Sequence, residues 1–335
     1  IRMYNIASDG KHRGGFAHLV KPLRIAKAIA AIVGASWRRR KILYVALDGG
    51  LGLIYGIFII AVGRLCRYRL FMHHHSFAYI NESSLLMRVL SRVAGPAATH
   101  IVLCPFMADR LRQTYPSIRQ TRVVCSTAFV PQPPSIERAV GQELRVGLLS
   151  NLTAEKGLDT AIDLLREAVR QKLPMRLVLA GRAHDANAKH LIETSQVEFG
   201  SRLEYLGPLS DEDKDGYLRA LDIFLFPTRY VNEAQPRVIL EALSYGVPVI
   251  TRTRGCIPSD VGPDAGICIA ENVNFVEAAV AKLRLWIDDP AGFSAARRHA
   301  RERSHALHDD ARRQLDAIIR DMHGLSNICT MSQGR

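Results

Sequence analysis

The chain has 335 residues, 48% of them hydrophobic and 23% charged, which describes a soluble globular protein with core enough for two ordinary domains. Its net charge of +13 is unevenly placed: residues 1–140 hold 20 Lys/Arg against 5 Asp/Glu, and residues 141–335 hold 25 against 27. The six cysteines form no CxxC pair and no metal-ligand spacing, and the longest apolar run, Leu51–Gly63, is too short to span a bilayer.

The opening residues contain no apolar signal segment, so a cytoplasmic protein is expected. Tyr4–Ala7 reads as a clipped strand and Gly10–Gly15 as a glycine-rich loop. Helical spacing of Leu19, Leu23, Ala26, Ile29, Ala30 and Val33 predicts a helix over Phe16–Trp37.

KILYVAL then reads as a strand, Asp48, Gly49 and Gly50 begin a glycine-rich turn, and LIYGIFIIAVGRLC is a helix. A second strand, YRLFMHHHSF, follows. Strand, helix and strand in alternation predict a parallel sheet covered by helices, with ligands at the carboxyl ends of the strands. Asp48 and the run His73, His74, His75 fall at such ends. On an extended strand His73 and His75 share a face and His74 points away. Three contiguous histidines cannot all ligate one metal, so hydrogen bonding or base chemistry is the expected use.

Glu82–Leu90 and Phe106–Tyr115 read as helices with Ile101–Cys104 as a strand between them, and FVPQPPSIERAVGQE reads as an interdomain linker. The expected division is residues 1–135, residues 136–310, and a helical tail over 311–335 that packs back on the first part.

In the second domain, strand Leu144–Leu149 leads through a polar loop to a helix with Lys156 and Gly157 at its entry, where lysine charge and free amides suit a phosphate. Strands RLVLAGR and RLEYLG and a helix over Asp211–Ala220 come next. The acids Asp211–Asp213 suit a helix start better than a metal. Phe224–Ile250 is a strand, a polar loop, a helix that Pro236 can start, and a second strand, with Glu233 and Glu241 eight positions apart. The first acid lies ahead of the helix and the second inside it.

The basic runs Arg38–Lys41 and Arg64, Arg67, Arg69 sit among Ile, Leu and Phe without stacking aromatics or a reading motif, which argues against nucleic acid and leaves an anionic membrane surface or a solvated basic face with no partner. Peripheral attachment to the inner face of a membrane is the matching location.

Taken together, Glu155-Lys156-Gly157, the strand LVLAG, the turn YLGPLSDED, a strand ending in Phe-Pro, Glu-x7-Glu and GVPVI resemble glycosyltransferase family 4 over residues 144–270, and more weakly over 41–130. The resemblance implies the GT-B fold: two Rossmann-like domains with parallel sheets facing across a cleft. About 26 residues separate Gly15 from the strand KILYVAL, so the first strand and loop of the N-terminal domain are expected to be missing or reduced.

It further implies a retaining, metal-independent transferase that needs no cofactor beyond its nucleoside diphosphate sugar. The donor belongs to the second domain and a glycan or lipid-linked acceptor of cell-envelope or exopolysaccharide type to the first. Lys156 is then expected on the diphosphate, Glu241 on the ribose and Glu233 on the sugar hydroxyls. The backbone of Tyr205, Leu206 and Gly207 is expected at the base, with Gly181, Arg182, Asn151, Ala234 and Arg237 around the sugar and phosphates.

On the acceptor side stand Asp48, Gly49, Gly50 and His73, with His74 or His75 in contact with the acceptor or the sugar's 6-position. Two positions depart from the family pattern: Asn151 stands where an Arg is usual, and Ala234-Gln235-Pro236 where Gly-Phe-Gly is. The alternative from another class is a non-catalytic GT-B-like protein that binds nucleotide sugars.

Overall fold

The computed structural model describes residues 17–47, 49–134, 141 and 143–323, with side chains from residue 22 onward. The expected strand Tyr4–Ala7, the loop Gly10–Gly15 and Asp48 lie outside the described residues. The chain divides into two units: one up to Val124 that also takes the chain from Gln314, and one over Cys125–Arg313.

The first unit runs α1 (Ala17–Gly34), β1 (Ile42–Leu47), α2 (Gly52–Leu65), β2 (Arg69–His74), α3 (Ala78–Asn81), α4 (Leu85–Ala94), β3 (Thr99–Val102), α5 (Pro105–Thr114) and β4 (Gln120–Val123). Its four strands lie in the order β1-β2-β3-β4, all parallel. Because every helical crossover moves one strand in the same direction, this sheet has no internal reversal.

The helix expected over Glu82–Leu90 starts later, at Leu85. Ser84 caps it, its hydroxyl accepting the Met87 N–H at 3.5 Å, while Glu82 is extended. A serine side chain supplies what the first turn's free amides lack, and that chemistry outranks apolar spacing at a helix start. Helix α1 ends at Gly34, short of Trp37, whose ring is 80% exposed. Strand β4, which no apolar run announces, is an edge strand of alternating exposed and half-buried residues.

The second unit runs β5 (Leu144–Leu149), α6 (Leu158–Arg170), β6 (Met175–Ala180), α7 (Ala186–Phe199), β7 (Leu203–Tyr205), α8 (Asp211–Ala220), β8 (Ile223–Phe226), α9 (Arg237–Ser244), β9 (Val249–Arg252), α10 (Ile257–Val261), β10 (Gly266–Ile269), α11 (Phe275–Asp288) and α12 (Pro290–Met322). Its six parallel strands are ordered β10-β9-β8-β5-β6-β7. The core is the interior of this sheet and its covering helices, with Val146, Leu177, Phe224, Val249 and Leu283 fully buried. Removing each such side chain from water contributes about 1.5–3 kcal/mol.

Helix α7 buries only Ala188, Ile192 and Ser195, too sparse an apolar stripe to be legible beforehand. Helix α10 falls in RGCIPSDVG, which reads as a loop because Gly255 and Pro258 frame so short a turn.

The end of α12 belongs with the first unit, where Ile318 packs with Phe71, Ile101 and Val124. The segment after Val124 belongs with the second. A 3-10 turn over Ser126–Phe129 and the chain to Pro134 are tied there: Thr127 O bonds to His308 Nδ1 at 3.0 Å, and Pro133 O accepts from Arg301 at 3.1 Å. These bonds put the unit boundary ahead of the Pro-rich stretch. Composition alone places it inside that stretch, part of which, residues 135–140 and 142, lies outside the described residues.

Candidate functional site

The strand order of the second unit fixes where a ligand crevice must be. From β5 the chain steps outward through β6 and β7, then returns to the other side of β5 to lay down β8, β9 and β10. The loops leaving β5 and β8 therefore turn in opposite directions, and the gap between them is the topological switch point at which doubly wound sheets hold ligands.

Lys156 and Glu233 meet in that gap. The Lys156 ammonium donates to Glu233 Oε2 at 2.6 Å, with the side chains 25% and 11% exposed. It also lies 4.9 Å from the centre of the Tyr230 ring, on whose face a cation is favoured. Thr228 Oγ1 donates to the same carboxylate oxygen at 3.3 Å.

The two loops are stitched together from below. The Arg229 guanidinium bonds to Ala154 O at 2.8 Å and Asp159 Oδ2 at 2.7 Å, and its backbone N–H to Glu155 O at 2.7 Å. Gly157, at φ 82°, lies so close to the end of β8 that a Cβ would stand 2.5 Å from the Pro227 carbonyl oxygen. A side chain there would force the loops apart.

Glu241 lies on α9, 6% exposed, and accepts from Lys214 Nζ at 3.1 Å, with Arg237 at 3.8 Å. Lys214 stands on α8 within the charged run DEDKD, which as sequence reads as a solvated face. Its first turn is held by a capping box between Ser210 and Asp213, the use that a helix start makes of such acids. Pro236 is the residue ahead of α9, at φ −68° and ψ 114°, and Arg237 is the first helical one. The exposed Arg237 side chain reaches toward Glu241.

At the ends of β6 and β7, the Gly181 N–H donates to Gly207 O at 2.7 Å, and the Tyr205 hydroxyl donates to Gly181 O at 3.1 Å. A Cβ on Gly181, at φ 115°, would fall 1.8 Å from Ser150 O, so β5 and β6 leave the sheet in contact. Leu206, Arg182 and Asn151 are exposed around these turns, and Ala234 is buried. The fold thus collects Asn151, Lys156, Gly181, Arg182, Tyr205, Leu206, Gly207, Glu233, Ala234, Arg237 and Glu241 along the carboxyl edge of one sheet and on the helix that follows β8.

Beneath the Glu233 loop is a second polar group. Gln235 donates to Asp260 Oδ1 at 2.8 Å, and burial pushes the Asp260 carboxyl up to about 7 against the opposing pull of Gln235 and Arg303. No spacing rule links positions 235 and 260, and sequence reading does not single them out.

In the first unit, Gly49 and Gly50 are exposed at the end of β1, and Gly50 has φ 58°. The histidines divide as the strand geometry requires. His73 and His75 lie together with ring centroids 4.0 Å apart, His75 exposed and His73 bonded to the Tyr44 hydroxyl. His74 is fully buried; its Nδ1 meets the Tyr79 hydroxyl at 3.0 Å and its Nε2 meets His100 Nδ1 at 2.9 Å. Both its nitrogens are thus spent inside the unit, so His74 holds the strand end in place and does not reach a substrate. Desolvation holds His73 and His100 down at about 3, and His74 well below its ordinary value.

Comparison with known proteins bears on the family and the fold. Residues 135–306, half of the chain, match the family model described as "Glycosyl transferases group 1". O-antigen chain mannosyltransferase B of Escherichia coli is 31% identical over 173 residues, which are 47% of this chain and 43% of that protein. A GDP-mannose-dependent monoacylated alpha-(1-6)-phosphatidylinositol monomannoside mannosyltransferase of Corynebacterium glutamicum is 27% identical over 48% of this chain and 44% of its own. The chain spans less than half the length of the curated relatives it matches.

Among solved structures, HepE of Anabaena in complex with UDP superposes with TM-score 0.69 at 17% identity, covering 92% of this chain and 84% of that one. Sucrose-phosphate synthase of Thermosynechococcus elongatus gives 0.67 at 19% identity, covering 91% and 79%. At these identities the likeness is one of fold, and the fold is GT-B. With half of its residues inside the family model and its strands in this order, the chain belongs to the group 1 glycosyl transferases.

Proposed function

We propose that the chain transfers a sugar from a nucleoside diphosphate sugar to a glycan or lipid-linked acceptor of cell-envelope or exopolysaccharide type, with retention at the anomeric carbon and without a metal. The observation that carries this reading is the Lys156–Glu233 pair at the switch point between β5 and β8. An incoming diphosphate competes with Glu233 for the Lys156 ammonium, and the released carboxylate is then free to accept hydrogen bonds from sugar hydroxyls.

As the bond between the anomeric carbon and the phosphate oxygen breaks, its electron pair stays on the diphosphate. Lys156 and Arg237 supply positive charge there, the task that a metal performs in other transferases. The acceptor oxygen bonds to the anomeric carbon on the face the diphosphate leaves, and its proton passes to the departing phosphate. Glu241 takes the ribose hydroxyls, and the turn Tyr205–Gly207 the base. His75, the exposed histidine of the run, receives the acceptor-side role together with Asp48, Gly49, Gly50 and His73.

The same reading places the basic first unit on an anionic membrane. Helix α2 and the residue before it expose Leu51, Ile54, Phe58 and Leu65 at helical spacing, and Arg38–Arg40, Arg64 and Arg67 are also exposed. Apolar side chains amid basic ones suit an anionic headgroup layer. Among the described residues no helix is long and apolar enough to cross a membrane. Sedimentation with anionic vesicles that declines with added salt is the expected result; salt-independent or absent binding would remove this part.

The main test is turnover with a panel of GDP-, UDP- and dTDP-sugars, GDP-mannose first because the named relatives are mannosyltransferases. Hydrolysis or transfer that survives a chelator is expected with one of them. Nucleotide binding without turnover would favour a non-catalytic binding protein instead.

A further inference from the structure

The loop that carries Glu233 has unusual support. In the run Glu233-Ala234-Gln235-Pro236 the last residue has no N–H to donate, so the backbone there offers one tether fewer than another residue would. The missing tether is replaced by a side chain. Gln235, 8% exposed, points inward: its Oε1 accepts the Ser126 N–H at 2.9 Å, and its Nε2 donates to Asp260 Oδ1 at 2.8 Å and lies 3.1 Å from Cys125 Sγ.

The backbone on either side is pinned by the turn between β9 and α10. The Cys256 N–H donates to Ala234 O at 2.8 Å, and Gly255, at φ 46°, is so near that a Cβ would stand 2.3 Å from Glu233 O and 2.7 Å from Ala234 O. Asp260 sits one turn further on in α10 and is 2% exposed. Its own place is held by α12, where Arg303 donates to the carbonyls of Asp260 and Ser259. The titratable or charged groups facing it are Arg303 and the Cys125 and Cys268 thiols; its Oδ2 finds no partner among the described residues.

A buried glutamine bonded to a buried acid costs desolvation that two apolar side chains would avoid, so the pair does more than fill space. We propose that Gln235 and Asp260 form a brace that fixes the height of the Glu233 loop over the sugar end of the donor site, which makes both of them positioning residues for transfer. The proposal rests on the donor-site reading above. Its reach is limited to one end of the site: the brace touches the loop before α9, while Glu241 and the β6 and β7 turns stand on other supports.

The experiment is steady-state kinetics with the active sugar donor, alongside calorimetry with UDP and GDP, on wild type, Gln235→Met, Asp260→Asn and the double variant Gln235→Met/Asp260→Leu. Gln235→Met keeps the shape and loses the hydrogen bonds. We expect its kcat to fall at least tenfold while the affinity for the nucleoside diphosphate stays within threefold.

Asp260→Asn still offers Gln235 an acceptor and should keep kcat within threefold of wild type. The double variant removes the buried acid together with its donor, so only the half-buried Ser126 N–H and the Cys125 thiol lose a contact; it costs less desolvation than the single variant and should show the same kcat loss. Wild-type kcat in either the Gln235→Met or the double variant overturns the brace, and so does Asp260→Asn that is as damaging as Gln235→Met. Wild-type protein that binds neither UDP nor GDP and turns over no donor overturns the donor reading itself, and the brace falls with it.

Discussion

The two sheets finish their strands on different chemistry. At the carboxyl end of β2 the first unit gathers His73, His74 and His100, all held uncharged by burial. At the ends of β5 and β8 the second unit sets a partly buried ion pair, Lys156 with Glu233. Both arrangements answer the same problem, the cost of taking polar groups out of water. The first answers it by neutralising them and the second by pairing them. Neutral His74 spends its nitrogens on neighbours within the unit, Tyr79 and His100, whereas a paired lysine can exchange one anion for another.

The sharpest way to break this comparison is pH. His73 and His100 titrate at about 3 in the folded unit against 6.5 in an open chain. A depressed histidine contributes stability that is present above its unfolded pKa and lost as pH falls from there toward the folded value. Between pH 6.5 and 4.5 this amounts to about 5 kcal/mol for the two together. Amide exchange in β2 and β3 should accelerate over that range, and protection that is independent of pH would show the histidines to be solvated.

Asp260 runs the other way. Its carboxyl is raised from 3.8 to about 7, so its contribution is full below 3.8 and lost as pH rises through 7. Denaturant unfolding of Asp260→Asn relative to wild type should gain about 4 kcal/mol between pH 4 and 7.5. A constant difference would mean that the acid is not desolvated.

Lys156→Ala tests the pairing directly. With Lys156 on the leaving diphosphate, as proposed, its removal should lower kcat/KM by about 10²–10³-fold, measured with the best donor of the panel, and normal activity would refute that placement. Glu241→Ala should act more mildly. On the proposed reading Glu241 holds the ribose alike in ground and transition states, so KM for the donor should rise by about tenfold with kcat little changed.

Much of the second unit could be read from residues alone, because buried parallel strands are near-continuous apolar runs: Ile223–Phe226 is wholly apolar, and Leu144–Leu149 is broken only by Arg145. The positions of Lys156 and Glu233 followed from the loops those strands end in. What could not be read is what depends on partners remote in the chain. Lys214 looks like a surface charge until α8 brings it to Glu241, and Gln235 looks like loop filler until α10 brings Asp260 beneath it. Helix α7 and strand β4 were hidden for another reason: each presents little apolar surface to the core, so periodicity carries no signal. His74 shows the opposite error, a residue that looks reactive in a run of three and whose nitrogens are spent on Tyr79 and His100.

The pairing of β5 with β8 also bears on time. Lys156 and Glu233 are separated by 77 residues, and the strands beneath them adjoin only after β6 and β7 have been laid on the other side of β5. Closing so long a loop is among the slower steps available to a parallel sheet. On a ribosome, Lys156 has emerged well before Glu233 is synthesised. The Lys156–Glu233 pair therefore cannot form in a nascent chain until β8 has left the exit tunnel, so any ligand that needs both residues can assist folding only of a nearly finished unit.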